Sequence, residues 1–358
     1  MKDSRIFQID GSEKSGSGTI VRDAVLFGVL SKKALKLNNI RSKRQKPGLR
    51  PQHLKVLEAA SEICDAKLTG ASVGSSVIGF YPGKNIRGGR FTFDIGTAGS
   101  ATMLALCILP LGLFAQSPST YRIIGGLFQD FAPSAFHLKY VLLPMIQKMG
   151  ADIEIKIICP GYVPKGNGVL EIQMSPLKKM LSPIMLMEQG KMIGIRGYSL
   201  SSHLEKRKVS ERMADECEKR LEASGFKTDI RILNDTKNKP AFEKAAVQSG
   251  AALAVWAQTD TGCLIGADMA GALRRSAEFI GNTVARNLME DIRSGACSDR
   301  FLSDQLIPFA ALAQGISKYR IPRMTDHIDA RMWLADTILG AKTQIRENLV
   351  QIEGIGYL

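Results

Sequence analysis

Apolar positions along this chain recur at two alternating periods. Residues 53–64 (HLKVLEAASEIC) space their apolar side chains three and four apart, which predicts an amphipathic helix, and AKLTGASVGSSVIGFYPG follows with the alternation of a strand. The same order returns at 136–149 (FHLKYVLLPMIQKM), with Gly150 and ADIEIKII leading into the turn CPGYVPKGNG. It returns again at 205–223, followed by SGF and KTDIRIL. Copies roughly 75 to 85 residues apart are too widely spaced for a solenoid. Helix and strand alternate too closely for separate all-α and all-β parts, so the predicted fold class is α+β, with repeated units packed on one another.

One stretch reads as a module of its own. Residues 191–270 run as strand MIGIRGYSL, a charged helix, strand KTDIRIL, the polar loop NDTKNKP, a helix AFEKAAVQSG, and a hairpin of ALAVWAQ and CLIGADM about TDTG. A Met-rich linker (KKMLSPIMLMEQGK) marks a boundary near Pro183, a second falls near Gly271, and helix-and-strand sequence resumes at Ser276. The predicted division is 1–184 for the first part of a large domain, 185–275 for a smaller inserted α+β domain, and 276–358 for the second part of the large one.

Composition agrees with that size and adds a partner. With 358 residues, 45% hydrophobic and 23% charged, the chain can bury one large core or two smaller ones. Lys and Arg number 48 against 34 Asp and Glu, a net charge of +14. Residues 31–55 alone carry nine Lys or Arg and no Asp or Glu, with Arg41, Lys43, Arg44, Lys46 and Arg50 grouped about the turn Pro47-Gly48. Cations so close together repel and stay solvated unless an anion sits among them, which predicts a polyphosphate or a nucleic-acid backbone. An excess of Lys kept for solubility is the bland alternative, and the clustering argues against it. The six cysteines form no CxxC pair and read as reduced core residues. Met1-Lys-Asp-Ser opens no apolar signal region, and the longest apolar run, 103–115, is interrupted by Pro110 and Gly112 and is too short to span a bilayer. A cytoplasmic, soluble protein with no membrane partner is expected.

Seven motifs carry a family resemblance. DGSxxxGxGxxxR (10–22), RxxxxKPGLRPQHL (41–54), GTAGSATM (96–103), APSAF (132–136), GYVPKGNG (161–168), FLSDQL (301–306) and TDHI (325–328) resemble, in this order, those of the RNA 3′-terminal phosphate cyclases. The resemblance runs from about Phe7 to Ile338. It implies a large domain of three repeated α+β units with a smaller inserted α+β domain. It also implies a reaction in which ATP adenylylates a histidine, AMP passes to an RNA 3′-phosphate, and the adjacent 2′-OH closes a 2′,3′-cyclic phosphate.

The resemblance assigns His327 as the nucleophile; neutral imidazole is nucleophilic near pH 7, and its phosphoramidate is a good donor. It assigns Phe301, Asp304, Gln305, Pro133 and Gln52 to the nucleotide, and Arg22, Arg41, Arg44 and Lys46 to phosphate or RNA. ATP with Mg²⁺ or Mn²⁺ is the implied cofactor set, and RNA with a 3′-phosphate end the implied partner. The oligomeric state stays open, with a homodimer one form considered. Each residue also has a structural reading: His327 as a polar loop histidine after Pro322, Arg22 as a helix-end group, Asp304 and Gln305 as capping residues around Ser303, Phe301 as core. The Gly96–Ser100 turn ahead of an apolar helix offers backbone N–H groups to an anion.

Departures from the pattern open a second reading. Ser15 stands where the family carries a metal-binding glutamate, Thr19 and Leu106 where glutamines are expected, Phe136 where an acid is expected, and Ala330-Arg331 where Thr-Asn is expected. A serine hydroxyl does not replace the carboxylate that Mg²⁺ prefers, and Glu13 is the nearby carboxylate to consider as a metal ligand. The alternative to the enzyme is therefore a non-catalytic, cyclase-like RNA-binding protein acting in ribosomal RNA processing. An enolpyruvyl transferase of related repeated-unit fold leaves His327 and Asp304-Gln305 unexplained.

Overall fold

The computed structural model describes residues 6–358, so the charged start at 1–4, read as lacking a signal region, lies outside the described residues. The fold is α+β, with four four-stranded sheets, three of which share one topology. In the first, Phe7–Asp10 runs parallel to Leu35–Asn38, which pairs antiparallel with Ile78–Tyr81, and that strand with Lys67–Thr69. Gly89–Asp94, Ser119–Gly125, Gly168–Met174 and Ile153–Cys159 repeat this order. So do Met185–Leu186, Gln314–Arg320, Leu349–Ile355 and Lys342–Arg346. Each unit is a β-α-β-α-β-β series, and the third is interrupted after its first short strand.

The helices of the three units meet in the middle. Helix α1, Gly18–Ser31, begins at the Ser17 cap, ends on Lys32 in the left-handed region, and buries thirteen of its fourteen residues. Helix α2, Pro51–Cys64, is amphipathic and starts with proline, where a missing N–H costs nothing. Helix α3, Ala101–Leu113, is the longest apolar run of the sequence, and all of it but Met103 is buried. Helix α1 packs on α2, α3 and Asp326–Leu334 of the third unit. The second helix of the second unit contains a π-helical turn at Leu138–Leu142, as does that of the third at Ala335–Leu339; α2 has none. All six cysteines are free and buried, and no helix among the described residues is long and apolar enough to cross a membrane.

The inserted module differs from the sequence reading in three ways. The expected third copy, 205–223 with KTDIRIL, is no repeat: helix Val209–Glu222 packs on the fourth sheet, and Thr228–Asp235 is the edge strand of that sheet, parallel to Met192–Ser202. A helix followed by a strand has the same local period whichever sheet the strand joins. AFEKAAVQSG forms no helix, because the Asp235 carboxylate accepts the N–H groups of Ala241 (3.1 Å) and Ala246 (2.9 Å) and holds the segment as a loop. The module also continues past 275. Helix Ala277–Arg293 buries Ile280, Val284 and Leu288 against Met213, Cys217 and Leu221 in a second core. Gln189 closes the neck, its Nε2 donating to the carbonyls of Ile292 (3.0 Å) and Ala296 (2.7 Å).

Two contacts seat the module on the second unit. Tyr140 stacks on Trp256 with centroids 4.8 Å apart and planes at 4°, beside Phe136 on Tyr198 at 5.3 Å; such pairs add about 0.5–1.5 kcal/mol beyond area burial. Below them lies a buried junction at Asp299. Its carboxylate accepts N–H groups of Gly266, Phe301 and Leu302, each at 2.8 Å, and pairs with His137 Nε2 at 3.1 Å. Burial disfavours both charged forms, but each partner's charge and hydrogen bond outweigh it, so His137 lies above the ordinary imidazole value and Asp299 below the ordinary carboxylate value.

Removing the Asp299 carboxylate strands an imidazole and three N–H groups in the interior. Asp299→Ala is expected to cost about 3–5 kcal/mol of unfolding free energy in urea. The difference from wild type should be largest between the reference values of 3.8 and 6.5. The raised His137 contributes fully below its unfolded value and loses that contribution as pH rises through the folded one; the depressed Asp299 contributes above its unfolded value and loses it as pH falls. A cost under about 1 kcal/mol, or one that does not vary with pH, contradicts this account.

Candidate active site

The loop from the first strand into α1 is held by its own side chains. Asp10 Oδ1 accepts the Ser12 N–H (2.8 Å) and hydroxyl (2.7 Å), and these bonds keep the Asp10 carboxyl below its usual value. Ser17 caps the helix by accepting from the Thr19 N–H. Ser15 is buried, with its hydroxyl 2.9 Å from that of Ser17. Gly18 leaves room for the His53 ring: a Cβ there would lie 2.1 Å from Nε2. Burial, with Arg22, Arg41 and Arg50 nearby, pushes His53 down to about 3, so this imidazole is a neutral packing element.

Beyond this loop the apolar helix α1 carries two charges. Arg22 donates to Thr19 Oγ1 (3.0 Å), and Asp23 Oδ2 lies 3.2 Å from Arg331 Nε. Arg331, from the third unit, also reaches Asp304 Oδ2 at 3.4 Å and donates through Nη1 to the Asp304 carbonyl at 3.1 Å. Burial raises Asp23 and lowers Arg22, whereas Asp23 and Asp304 together outweigh burial and hold Arg331 above its ordinary value. The position where the resemblance expects asparagine therefore holds a cation that neutralises two carboxylates.

His327 stands on the first turn of Asp326–Leu334, a helix capped by Thr325. Its Nδ1 lies 3.0 Å from Thr19 Oγ1, while the ring is open to solvent on its outer side. Partial desolvation, then the cations Arg331, Arg22 and Arg44, lower its pKa against the opposing pull of Asp304. Arg44 sits on the exposed cationic loop and donates to the Ser15 carbonyl (3.0 Å), binding the two loops together. Arg41 is otherwise engaged: its Nη1 donates to the carbonyls of Lys46 (2.7 Å) and Gly48 (2.8 Å), closing the loop on itself. Lys46 is exposed on the same loop.

The residues assigned to the nucleotide lie on two sides of this cleft. Gln52 Oε1 faces the Ser100 N–H at 3.5 Å, and Gly99 packs on Gln52. That turn spends its Gly96 and Gly99 N–H groups on Asp94 and Thr97. Phe301, edge-on to His137 at 5.9 Å, lines a pocket of about 320 Å³ with Phe128, Phe131, Asp268 and Asn287. Pro133 is buried beside that pocket, with its carbonyl accepting from the Thr102 hydroxyl. Gln305 is buried, and its Oε1 has no partner among the described residues. The structure thus brings His327, Arg22, Arg44 and Asp304 to one spot, and sets Phe301 beside a separate aromatic pocket.

Three residues that shape the site escaped the sequence reading: Thr19 and Arg331, noted only as departures, and Asp23. The signal for Asp23 was present, since Arg22-Asp23 interrupts an otherwise apolar helix. A hard divalent cation finds no ready set of carboxylates here. No group of three or more His, Cys, Asp or Glu side chains assembles among the described residues, Asp304 and Asp23 are engaged by Arg331, and Glu13 is exposed on the loop.

Comparison with known proteins bears directly on this arrangement. The family model described as RNA 3'-terminal phosphate cyclase matches residues 13–345. Curated relatives of that name include one from Staphylothermus marinus, 34% identical over 98% of this chain and 99% of its own. Others are from Methanopyrus kandleri (32%, 95% and 95%) and Archaeoglobus fulgidus (33%, 97% and 100%). A solved enolpyruvyl transferase, NikO from Streptomyces tendae, is similar over 48% of this chain and 33% of its own at 14% identity and TM-score 0.28, too slight a likeness to carry an argument. The match along nearly the whole chain, together with relatives above 30% identity at full length, shows that the chain belongs to the RNA 3′-terminal phosphate cyclase family.

Proposed function

We propose that this protein converts an RNA 3′-terminal phosphate to a 2′,3′-cyclic phosphate at the expense of ATP, with His327 as the nucleophile. The observation that carries the reading is the seat of His327. Its Nδ1 faces a hydroxyl that already accepts from Arg22, and burial, helped by Arg331, Arg22 and Arg44, lowers its pKa and favours the neutral ring. Thr19 Oγ1 retains a lone pair for Nδ1–H, which leaves the Nε2 lone pair facing the cleft.

Nε2 attacks the α-phosphorus of ATP, and the bond to the bridging oxygen breaks with release of pyrophosphate. An oxygen of the RNA 3′-phosphate then attacks the adenylyl phosphorus and displaces the imidazole. The 2′-OH attacks the 3′-phosphorus, loses its proton and expels AMP. Arg44, Lys46 and the other cations of the 41–50 loop offset phosphate charge. Phe301 and its aromatic pocket receive the base, and Gln52 lies on the phosphate side. A divalent cation, Mg²⁺ or Mn²⁺, would offset charge on the nucleotide's phosphates, and the first loop would offer it the hydroxyls of Ser15 and Ser17 rather than a carboxylate. That same feature favours a second reading, an RNA-binding relative without chemistry that acts in ribosomal RNA processing.

Label from α-labelled ATP should pass to the wild-type protein as a bond labile to acid and stable to alkali, and be absent from His327→Ala. Equal labelling of that variant removes His327 from the reaction, and no labelling of wild type favours the binder.

The pH dependence of adenylylation follows from the lowered His327 value. A depressed imidazole stays neutral below its ordinary 6.5, so the rate should hold through that pH and fall only at lower values. Arg44→Ala removes one of the cations and should move this acid limb upward, read from label transfer at saturating ATP. A limb unmoved by the substitution shows that Arg44 does not tune the ring.

Ser15→Glu supplies the carboxylate that the family pattern places here and should lower the Mg²⁺ concentration needed for half-maximal adenylylation. An unchanged metal titration shows that the site is organised without this position.

A further inference from the structure

We infer that the groove between the inserted module and the second unit is the track for the single strand of RNA leading to its 3′ end, an assignment that rests on the cyclase reading above. The groove encloses about 820 Å³ and is lined by Lys165, Arg207, Arg212, Arg274 and Arg275, with no Asp or Glu on its walls among the described residues. Arg212 donates to both oxygens of Glu278 (2.7 and 2.9 Å) and Arg275 to both of Asp130 (2.9 Å each), so these two are fixed in place. Lys165, Arg207 and Arg274 are exposed, and among the described residues none forms an ion pair. The floor is apolar, with Val209 and Ile280, and Leu273 stands 99% exposed at the mouth. Cations along the rim and an apolar floor suit a strand whose phosphates face outward and whose bases lie inward.

Each wall of the groove is joined to residues that lie beside those assigned to the nucleotide. On one side Gly166, next to Lys165, packs so tightly on Thr97 and Ala98 that a Cβ would lie 2.9 Å from each, and this turn leads to Gly99 and Gln52. On the other, Arg275 holds Asp130, which lines the aromatic pocket with Phe301. Gln248 ties the first wall to the module, accepting from the Lys165 N–H (2.9 Å) and donating to the Val163 carbonyl (2.8 Å). A strand whose terminal phosphate reaches His327 therefore leaves the cleft along a surface that is already cationic. The 41–50 loop belongs to the first unit and contributes no residue to the lining of this groove.

The test compares wild type with the triple variant Lys165→Ala, Arg207→Ala, Arg274→Ala. The probes are a fluorescent single-stranded RNA of about 12 nucleotides, within the usual reach of such grooves, and a dinucleotide, both with a 3′-phosphate. For three phosphate contacts, the salt dependence of affinity for the longer RNA should fall by about 2 log units per tenfold salt. Dinucleotide binding, labelling by ATP and the melting temperature should match wild type. Unchanged affinity and slope for the longer RNA overturn the assignment, as does an equal loss on the dinucleotide, or a loss confined to anionic lipid vesicles with RNA binding intact. Failure of wild type to take label counts against the cyclase reading alone, because the groove is judged on the two RNAs.

Discussion

Arg22 and Asp23 lie on a helix that has no solvent face. An isolated ion in such a place costs several kcal/mol, and although the two charges attract each other, adjacent positions on a helix do not face one another and no direct hydrogen bond joins them. Arg22 finds Thr19 on its own helix, while the partner of Asp23 comes from the third unit: Arg331 lies against it and brings Asp304 with it. Docking the third unit on the first is thus the same event as neutralising the buried carboxylate of α1. The helix that carries Arg331 starts one residue before His327, so its placement fixes the imidazole as well. What looks in the sequence like erosion of a family motif at Arg331 is a structural requirement of this chain.

The cations proposed to meet phosphate also act on the histidine. Burial, reinforced by the positive field of Arg331, Arg22 and Arg44, disfavours protonation of His327, and on the proposed reading the same field would attract a polyphosphate. The proposed nucleophile needs this neutral state, and the carboxylates pulling the other way, Asp304 and Asp23, are both held by Arg331. The neighbouring His137 has the opposite fate. Held by Asp299 in the interior, it favours its proton and serves as a joint between module and repeats. Two histidines with the same chemistry are thereby given different work by their surroundings.

Much of this was legible in the sequence because it is local. The periods of 53–64 and 136–149 mark helices that do form, the run of five cations at 41–50 is an exposed loop, and the hairpin about TDTG pairs as its spacing requires. The misreadings share one cause. Whether 209–235 belongs to a repeat or to the module, and whether 277–293 packs on one core or the other, depends on partners far away in the chain. AFEKAAVQSG has helical composition, but two hydrogen bonds to Asp235 override it. Thr19 failed to stand out for the same reason: a threonine in an apolar helix is unremarkable until His327 is brought to 3.0 Å.

The π-helical turns at 138–142 and 335–339 bear on how the repeats can be compared at all. A turn of this kind holds one residue more than an α-helical turn, so side chains beyond it are rotated by about 100° from where a regular helix would place them. α2 lacks such a turn, and the two wide turns fall at different points, near the start of one counterpart and at the end of the other, so the three helices cannot keep one phase throughout. An alignment of the three units must open a one-residue gap inside a helix, where gaps are ordinarily penalised most heavily. The internal threefold kinship of the chain is thus easier to see in the pairing of its strands than in the letters of its helices.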